Sequence, residues 1–308
     1  MKLVFCGTPQ FAVGTLEAVI AAGHEVVLVL TQPDRAVGRK MEVQVGAVKA
    51  AAVRHGIPVV QPEKIKHNAE LRARLEAVQS DAILVVAYGR IIPEWMLELP
   101  RLGCVNLHGS LLPKYRGAAP IQWAVANGEA QTGVTTMRLN AGLDTGPMLL
   151  AQVEPIAPGA TAEDLFESLA SIGAELMVKT LAGLEAGSVC PVEQNHDAAT
   201  LAPILTREDG RMEFSRTAVE LVNRWRGFQP WPGAFTTLRG KKLIVHRMRV
   251  ASGAGVEGEV MVEGDRLLVG CRESMVEFEE VQMEGKKRMS AEEFLRGFQV
   301  TAGERVGA

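Results

Sequence analysis

The sequence predicts a doubly wound, mainly parallel α/β sheet followed by a smaller β-barrel. Three observations carry this. Short apolar runs alternate with helical patterns through the first half, which is the arrangement that parallel sheets need. A proline-rich, polar stretch without a period then interrupts the chain. Beyond it come five short strand-like segments separated by glycines, which suit a small barrel. With 308 residues the chain has room for one large domain or two of ordinary size.

Taken in order, KLVFC (2–6) is an apolar strand, TPQFAVGTLEAVIAAG carries a helical pattern, and HEVVLVLT (24–31) is a second strand. A helix over 46–55, the short run IPVV, and a helix over 68–78 lead to DAILVVA (81–87), a strongly apolar buried strand. TGVTTMRL (132–139) and MLLAQVEPI (148–156) are further strands, and a long helix covers 162–186. This is a Rossmann-like succession, which binds ligands beyond the carboxyl ends of its strands. The predicted boundaries are 1–187 for this domain, 188–206 for a linker and 207–308 for the second domain. There a helix over 218–226 precedes AFTTL, KKLIVHRMRV, GEVMV, DRLLVGC and MVEFEEVQ, which point to an OB-like barrel.

Composition excludes several classes. At 47% hydrophobic and 22% charged residues the chain reads as globular. No apolar run approaches the ~20 residues of a membrane helix, so no membrane partner is expected. The opening MKLVFCGTPQ has too short an apolar run for a signal peptide. Cys6, Cys104, Cys190 and Cys271 lie far apart, with no CxxC pair and no ligand-spaced histidines. They read as reduced thiols of a cytoplasmic protein without a structural metal, and a monomer is the default. The net charge of −3 argues mildly against a nucleic-acid partner, but its distribution is uneven and matters more than the sum. From Arg216 to Arg249 eight basic residues stand against Glu220 alone; from Glu257 to Glu284 nine acids stand against two arginines. Such segregation fits either one basic face or two solvated strand faces.

The chemistry concentrates in CVNLHGSLLPKYRGAAPIQ (104–122). In a strand side chains alternate, so Asn106 and His108 share a face, about 7 Å apart at roughly 3.3 Å per residue. One polar residue there would read as a satisfied core group; two at the end of a strand point to a site. A carboxylate is available in Asp144, within the glycine-flanked loop Asn140–Pro147, although that loop alone reads as an ordinary aspartate turn. Asparagine is a neutral donor for a developing oxyanion, and histidine moves a proton near neutral pH. A carboxylate orients or charge-stabilises the histidine. No serine or cysteine is evidently activated, which favours attack by a substrate amine on a carbonyl.

NLHGSLLPKYRGAAPI resembles the signature of the formyltetrahydrofolate-dependent formyltransferases, whose catalytic set is Asn, His and Asp. The resemblance spans essentially the whole chain, through FCGTPQFA, LTQPDR, VVAYGRIIP and GLDTGPML to GFQPWPGAF and GKKRMSAEEFLRG. The last two narrow it to the branch that formylates methionine carried on initiator tRNA. It implies 10-formyltetrahydrofolate as formyl donor, initiator methionyl-tRNA as partner and no metal. Asn106 and His108 would polarise the formyl carbonyl, and Asp144 would assist proton removal and keep His108 suitably charged. Ser110, Leu111, Leu112 and Pro113 would form the folate-binding turn. Val86, Tyr88, Gly89 and Ile91 would line the pterin pocket, mostly through backbone groups. Lys114 and Arg116 would meet the tRNA end or the folate tail.

For tRNA the resemblance implies a basic loop after the second strand, with Arg35, Arg39 and Lys40, and a basic run in the barrel, with Lys241, Lys242 and Arg247. The loop departs from the family pattern: Lys40-Met41-Glu42 and Val-Gln-Val-Gly stand where Gly-Lys-Lys and Pro-Ser-Pro are common. One lysine fewer and an added acid weaken phosphate contacts, which shifts expected binding toward Arg216–Arg249. Sugar-nucleotide formyltransferases and formyltetrahydrofolate hydrolases share the Asn-His-Asp set. PWPGAF and GKKRMSAEEF argue against the first, and no regulatory domain is expected ahead of the first strand, as the second would have. A nicotinamide enzyme is excluded because Phe5–Ala12 lacks GxGxxG. A non-catalytic tRNA-binding module would leave Asn106, His108 and Asp144 without purpose.

Overall fold

Residues 1–37 and 42–307 are described by the computed structural model, in two units. The first gathers Met1–Pro120, Gln131–Pro155 and Leu165–Pro203; the second gathers Ile121–Ala130, Ile156–Asp164 and Ile204–Ala308. In chain order the elements are β1 (Lys2–Gly7), α1 (Val13–Ala21), β2 (Glu25–Leu30), β3 (Arg35–Val37), β4 (Glu42–Gln44), α2 (Ala47–Arg54), β5 (Val59–Val60) and α3 (Ala69–Val78). Then come β6 (Ala82–Val86), α4 (Glu94–Leu97), β7 (Cys104–His108), α5 (Pro120–Ala126), β8 (Gln131–Arg138), β9 (Met148–Pro155) and α6 (Ala162–Glu185).

The first unit is a mixed, mostly parallel α/β sheet. Its seven strands run in the order β5-β2-β1-β6-β7-β8-β9. The first five are parallel, and β8 and β9 are antiparallel additions. β6 and β7 are buried along their whole length, as strands covered on both faces must be. The alternation expected for β7 holds. Cys104 packs in a cluster with Leu71 and Leu75 of α3 and Met96 of α4. On the other face Leu107 fills the space that Gly173 of α6 leaves, where a Cβ would lie 2.7 Å from Leu107 Cδ2. Asn106 and His108 therefore share the face of Cys104 and reach the carboxyl end of the strand. The strand order reverses between β1 and β6, so that end lies beside the crevice typical of open α/β sheets.

The second unit contains α7 (Ala218–Gly227), β10 (Ala234–Leu238), β11 (Lys241–Ala251), β12 (Val260–Glu263), β13 (Arg266–Cys271), β14 (Ser274–Met283), β15 (Met289–Ser290) and α8 (Ala291–Phe298). Its antiparallel sheet runs β10-β11-β14-β13-β12, with β15 on β14. Both helices begin with a capping box, Thr217 with Glu220 and Ser290 with Glu293, which satisfies otherwise orphaned N–H groups. Leu221 of α7 and Phe294 of α8 enter one core with Leu243, Val276 and Phe278 of the sheet. The chain's tail touches both edges of the sheet, pairing Val306 with Leu238 and Arg305 with Glu259.

The segregated charges meet across this sheet. β11 and β14 are neighbours, so Arg247 pairs with Glu279 at 2.9 Å and Arg249 with Glu277 at 2.9 Å. Glu277 also takes Arg266 at 2.7 Å, and together these arginines hold its carboxyl below the usual range. Among the described residues no helix is long and apolar enough to cross a membrane.

Candidate active site

The polar end of β7 meets three loops of the same unit. His108, 5% exposed, has Nε2 2.9 Å from the Tyr115 carbonyl oxygen. A carbonyl only accepts, which assigns the hydrogen to Nε2. Nδ1 then faces the Asp144 Oδ2 at 3.7 Å. That separation is too long for a direct hydrogen bond, so Asp144 acts on the imidazole as a charge. Asn106 lies two residues back on the same face, 8% exposed. The three residues expected from the sequence are thus brought together.

Asp144 is held by its surroundings. Its φ of 49° is the left-handed conformation, which a non-glycine residue adopts at a cost. Its Oδ2 accepts the Gly117 N–H at 2.9 Å. Its backbone carbonyl accepts Gln194 Nε2 at 2.9 Å, and Gln194 Nε2 also reaches the Gly146 carbonyl at 2.7 Å. Gly117, at φ 121°, allows close approach of the segment around Ala202: a Cβ there would lie 2.6 Å from the Ala202 carbonyl oxygen.

The turn Ser110–Pro113 is braced from within. Ser110 is fully buried and its hydroxyl donates to the Lys114 carbonyl at 2.6 Å, so the serine shapes the turn. Thr135 Oγ1, opposite His108 in the β7–β8 ladder, donates to the Ser110 carbonyl and accepts the Leu112 N–H. Leu111 is half-buried and Leu112 buried. Beyond β6, Ala87 and Gly89 take positive φ, and Gln32 Nε2 donates to the Tyr88 carbonyl at 2.9 Å. The Tyr88 side chain points into the core, where burial pushes its phenol well up, and Ile91 is 89% exposed. Val86 is buried within β6. The exposed surface of this loop is thus Ala87, Gly89 and Ile91, with Arg90 half-buried.

Arg116 is buried rather than presented to solvent; it donates to Gln194 Oε1 at 3.0 and 2.6 Å and to His196 Nδ1 at 3.1 Å. Lys114 is exposed. Cys104 shares the face of the polar pair, but burial pushes its thiol up to about 12, and the Cys6 thiol is raised as well. Neither is a nucleophile at neutral pH.

Of the basic residues singled out, Arg39 and Lys40 lie outside the described residues, and Arg35 is described only as backbone of β3, which pairs with β4. Lys241, Lys242 and Arg247 belong to the second unit. Lys241 is exposed with no ion-pair partner among the described residues, whereas Arg247 is committed to Glu279. Lys242 sits over the Phe235 ring at 3.7 Å. Sequence reasoning missed Gln194, Thr135 and Gly117. Gln194 sits in a polar stretch without periodicity, so no local pattern marks it.

Residues 1–181 match the family described as formyl transferase, and residues 204–299 match the formyl transferase C-terminal domain. A methionyl-tRNA formyltransferase of Acidobacterium capsulatum is 61% identical over all of both chains. Among solved structures, the sugar 3N-formyl transferase WlaRD, determined with dTDP and 5-N-formyl-THF, is 19% identical with a TM-score of 0.67 over 93% of this chain and 99% of its own. HypX from Aquifex aeolicus, solved with tetrahydrofolic acid, is 16% identical with a TM-score of 0.63 over 99% of this chain. The chain spans about half, 48%, of the length of HypX.

Proposed function

The chain belongs to the formyl transferase family, and on that premise we propose that it transfers a formyl group from 10-formyltetrahydrofolate to the α-amino group of methionyl initiator tRNA. The observation that carries the chemistry is His108, buried at the end of β7 with Nε2 tied to a carbonyl and Nδ1 facing a half-buried carboxylate.

The amine nitrogen attacks the formyl carbon. A C–N bond forms and the carbonyl π pair moves to oxygen. Asn106 offers amide hydrogens to that oxyanion, and His108, once it holds the amine's proton, adds positive charge that Asp144 stabilises. The amine's proton leaves toward the His108–Asp144 pair at Nδ1, the position not committed to Tyr115. Collapse breaks the bond from the formyl carbon to N10 of the folate, and the proton held by the His108–Asp144 pair passes to the leaving nitrogen. No enzyme nucleophile is needed, in keeping with the raised thiols of Cys6 and Cys104.

The donor's place in this reading is the rim formed by Ser110–Pro113 and the backbone of 86–92. Support comes from the tight bracing of that turn by Thr135 and from the folates bound by the two structural relatives. The second domain, residues 207–308, is proposed as an OB-like tRNA-binding domain. Support comes from the tail that touches both sheet edges and from the exposed Lys241, which has no ion-pair partner among the described residues. Arg35, Arg39 and Lys40 are proposed to contribute from the loop. A cytoplasmic location and a metal-free monomer belong to the same proposal.

The test is formyl transfer with purified protein, 10-formyltetrahydrofolate and methionyl initiator tRNA, read by mass spectrometry of the released amino acid. Elongator methionyl-tRNA and a tube without tRNA run alongside. Formylmethionine from the initiator alone is expected. Deformylation of the folate without formylmethionine would instead indicate a hydrolase, and intact donor in every tube would move the search to amino-sugar nucleotides.

A further inference from the structure

We infer that Gln194 is a positioning residue that holds Asp144 in register with His108. This rests on the catalytic reading of Asp144 and deepens it.

The side chain is 4% exposed and lies far along the chain from every residue that it serves. Its Nε2 hydrogens go to the backbone carbonyls of Asp144 and Gly146, at 2.9 and 2.7 Å. Its Oε1 accepts both Nε and Nη2 of Arg116. Both hydrogens of the amide and its oxygen are therefore committed. Arg116 is followed by Gly117, whose N–H donates to the Asp144 carboxylate. A closed circuit results: Gln194 fixes the backbone of Asp144 directly and its carboxylate through Arg116 and Gly117. Asp144 needs such a hold because an aspartate at φ 49° relaxes elsewhere unless its surroundings over-determine it.

The circuit is anchored at its far side. The Arg116 N–H donates to the Thr200 carbonyl at 2.8 Å, and the Arg116 carbonyl accepts the Ala202 N–H at 2.7 Å. The segment 194–202, which the sequence presents as a linker, thus acts as a strap across the loops that carry the chemistry. The charged and titratable groups around His108 in this network are Asp144, Arg116 and His196, the last accepting from Arg116 Nη2 at 3.1 Å.

Two variants separate positioning from mere stability. Gln194→Met fills the same volume without donor or acceptor; Gln194→Glu keeps an acceptor for Arg116 but loses both donated bonds. The first readout needs no substrate: hydrogen exchange of the Gly117 amide, whose acceptor is the Asp144 carboxylate, with the Val105 and Leu107 amides as reference. At least a tenfold faster exchange at Gly117 with unchanged reference amides is expected in both variants. The second readout is formyl transfer, where kcat should fall 10- to 100-fold with each KM within threefold. Combined with Asp144→Asn, Gln194→Met should add no further loss, because both act on one interaction. Unchanged Gly117 exchange, uniform loosening of all three amides, or fully multiplicative losses would overturn the inference. A wild-type protein without transferase activity would sink the proposed function instead, while the exchange measurement still decides the positioning role. Should Gln194→Met fail to fold, Gln194→Glu carries the same readouts.

Discussion

Replacing Asp144 by asparagine removes one charge and little else. The side chain keeps its volume, and the amide oxygen still accepts the Gly117 N–H that Oδ2 accepts at 2.9 Å. What disappears is the negative charge 3.7 Å from His108 Nδ1. Both groups are largely buried, and at an effective dielectric near 20 a full pair at that separation is worth about 4 kcal/mol. At 1.36 kcal/mol per tenfold, this sets a ceiling of about 10³ on the rate loss. Partial charge development in the transition state puts the expected fall in kcat at roughly 10²- to 10³-fold. The loss belongs in kcat, since the charge matters most when the imidazole is cationic. Single-turnover transfer with both substrates saturating measures it, with circular dichroism to confirm the fold. A folded Asp144→Asn enzyme with kcat within fivefold of wild type would refute the reasoning, and so would a loss confined to KM.

His108→Ala should lower turnover by about 10²–10⁴ with the fold intact, the range of a proton-transfer group; near-normal turnover would remove the residue from the mechanism. Lys241→Glu should weaken tRNA binding and reduce the log–log salt slope by about one, whereas Arg247→Ala, which removes a guanidinium that pairs with Glu279, should change it less. Equal effects from the two, measured by filter binding across salt concentrations, would show that ion pairing within the sheet does not decide which cations meet phosphate. Glu304 is held down to about 2, chiefly by its hydrogen bond to Arg239. Its folded-state value is depressed, so its stabilisation is complete above the ordinary 4.5 and lost as pH falls toward 2. Glu304→Gln should therefore cost at most about 1 kcal/mol at neutral pH for this partly exposed pair. The gap to wild type in thermal unfolding should close on acidification, and a gap independent of pH would contradict the assignment.

The period-two pattern of β7 was readable because a strand's faces alternate without regard to distant contacts. Asn106 and His108 shared a face in the sequence and share it in the fold. Asp144 needed the family resemblance, since its loop alone looks like any aspartate turn. Charge was the opposite case. Arg247 and Glu279, like Arg249 and Glu277, lie about 30 residues apart in the chain, and only the β11–β14 ladder reveals that these members of the two runs pair. The sequence reading places no helix over α5 or α8, although Ser290 and Glu293 announce α8 by their capping box. Gln194 was beyond reach for another reason. Its partners are backbone atoms about 50 residues away, and no spacing rule points from an amide to a remote carbonyl.

Every contact that defines the His108–Asp144 geometry arises within the first unit: the end of β7, the turn 110–117, the loop 140–147 and the strap 194–202. The cations proposed for tRNA come from the 35–40 loop and from the second unit. Under the proposed function, donor chemistry and acceptor recognition therefore draw on separate residues. Substitutions at Lys241 should leave the intrinsic rate of transfer at saturating tRNA unchanged, while those at Asp144 or Gln194 should lower it without changing tRNA affinity. The departures from the family pattern in the 35–49 loop fall on the recognition side of that division. On the proposed reading they bear on how an acceptor is held and not on the His108–Asp144 pair.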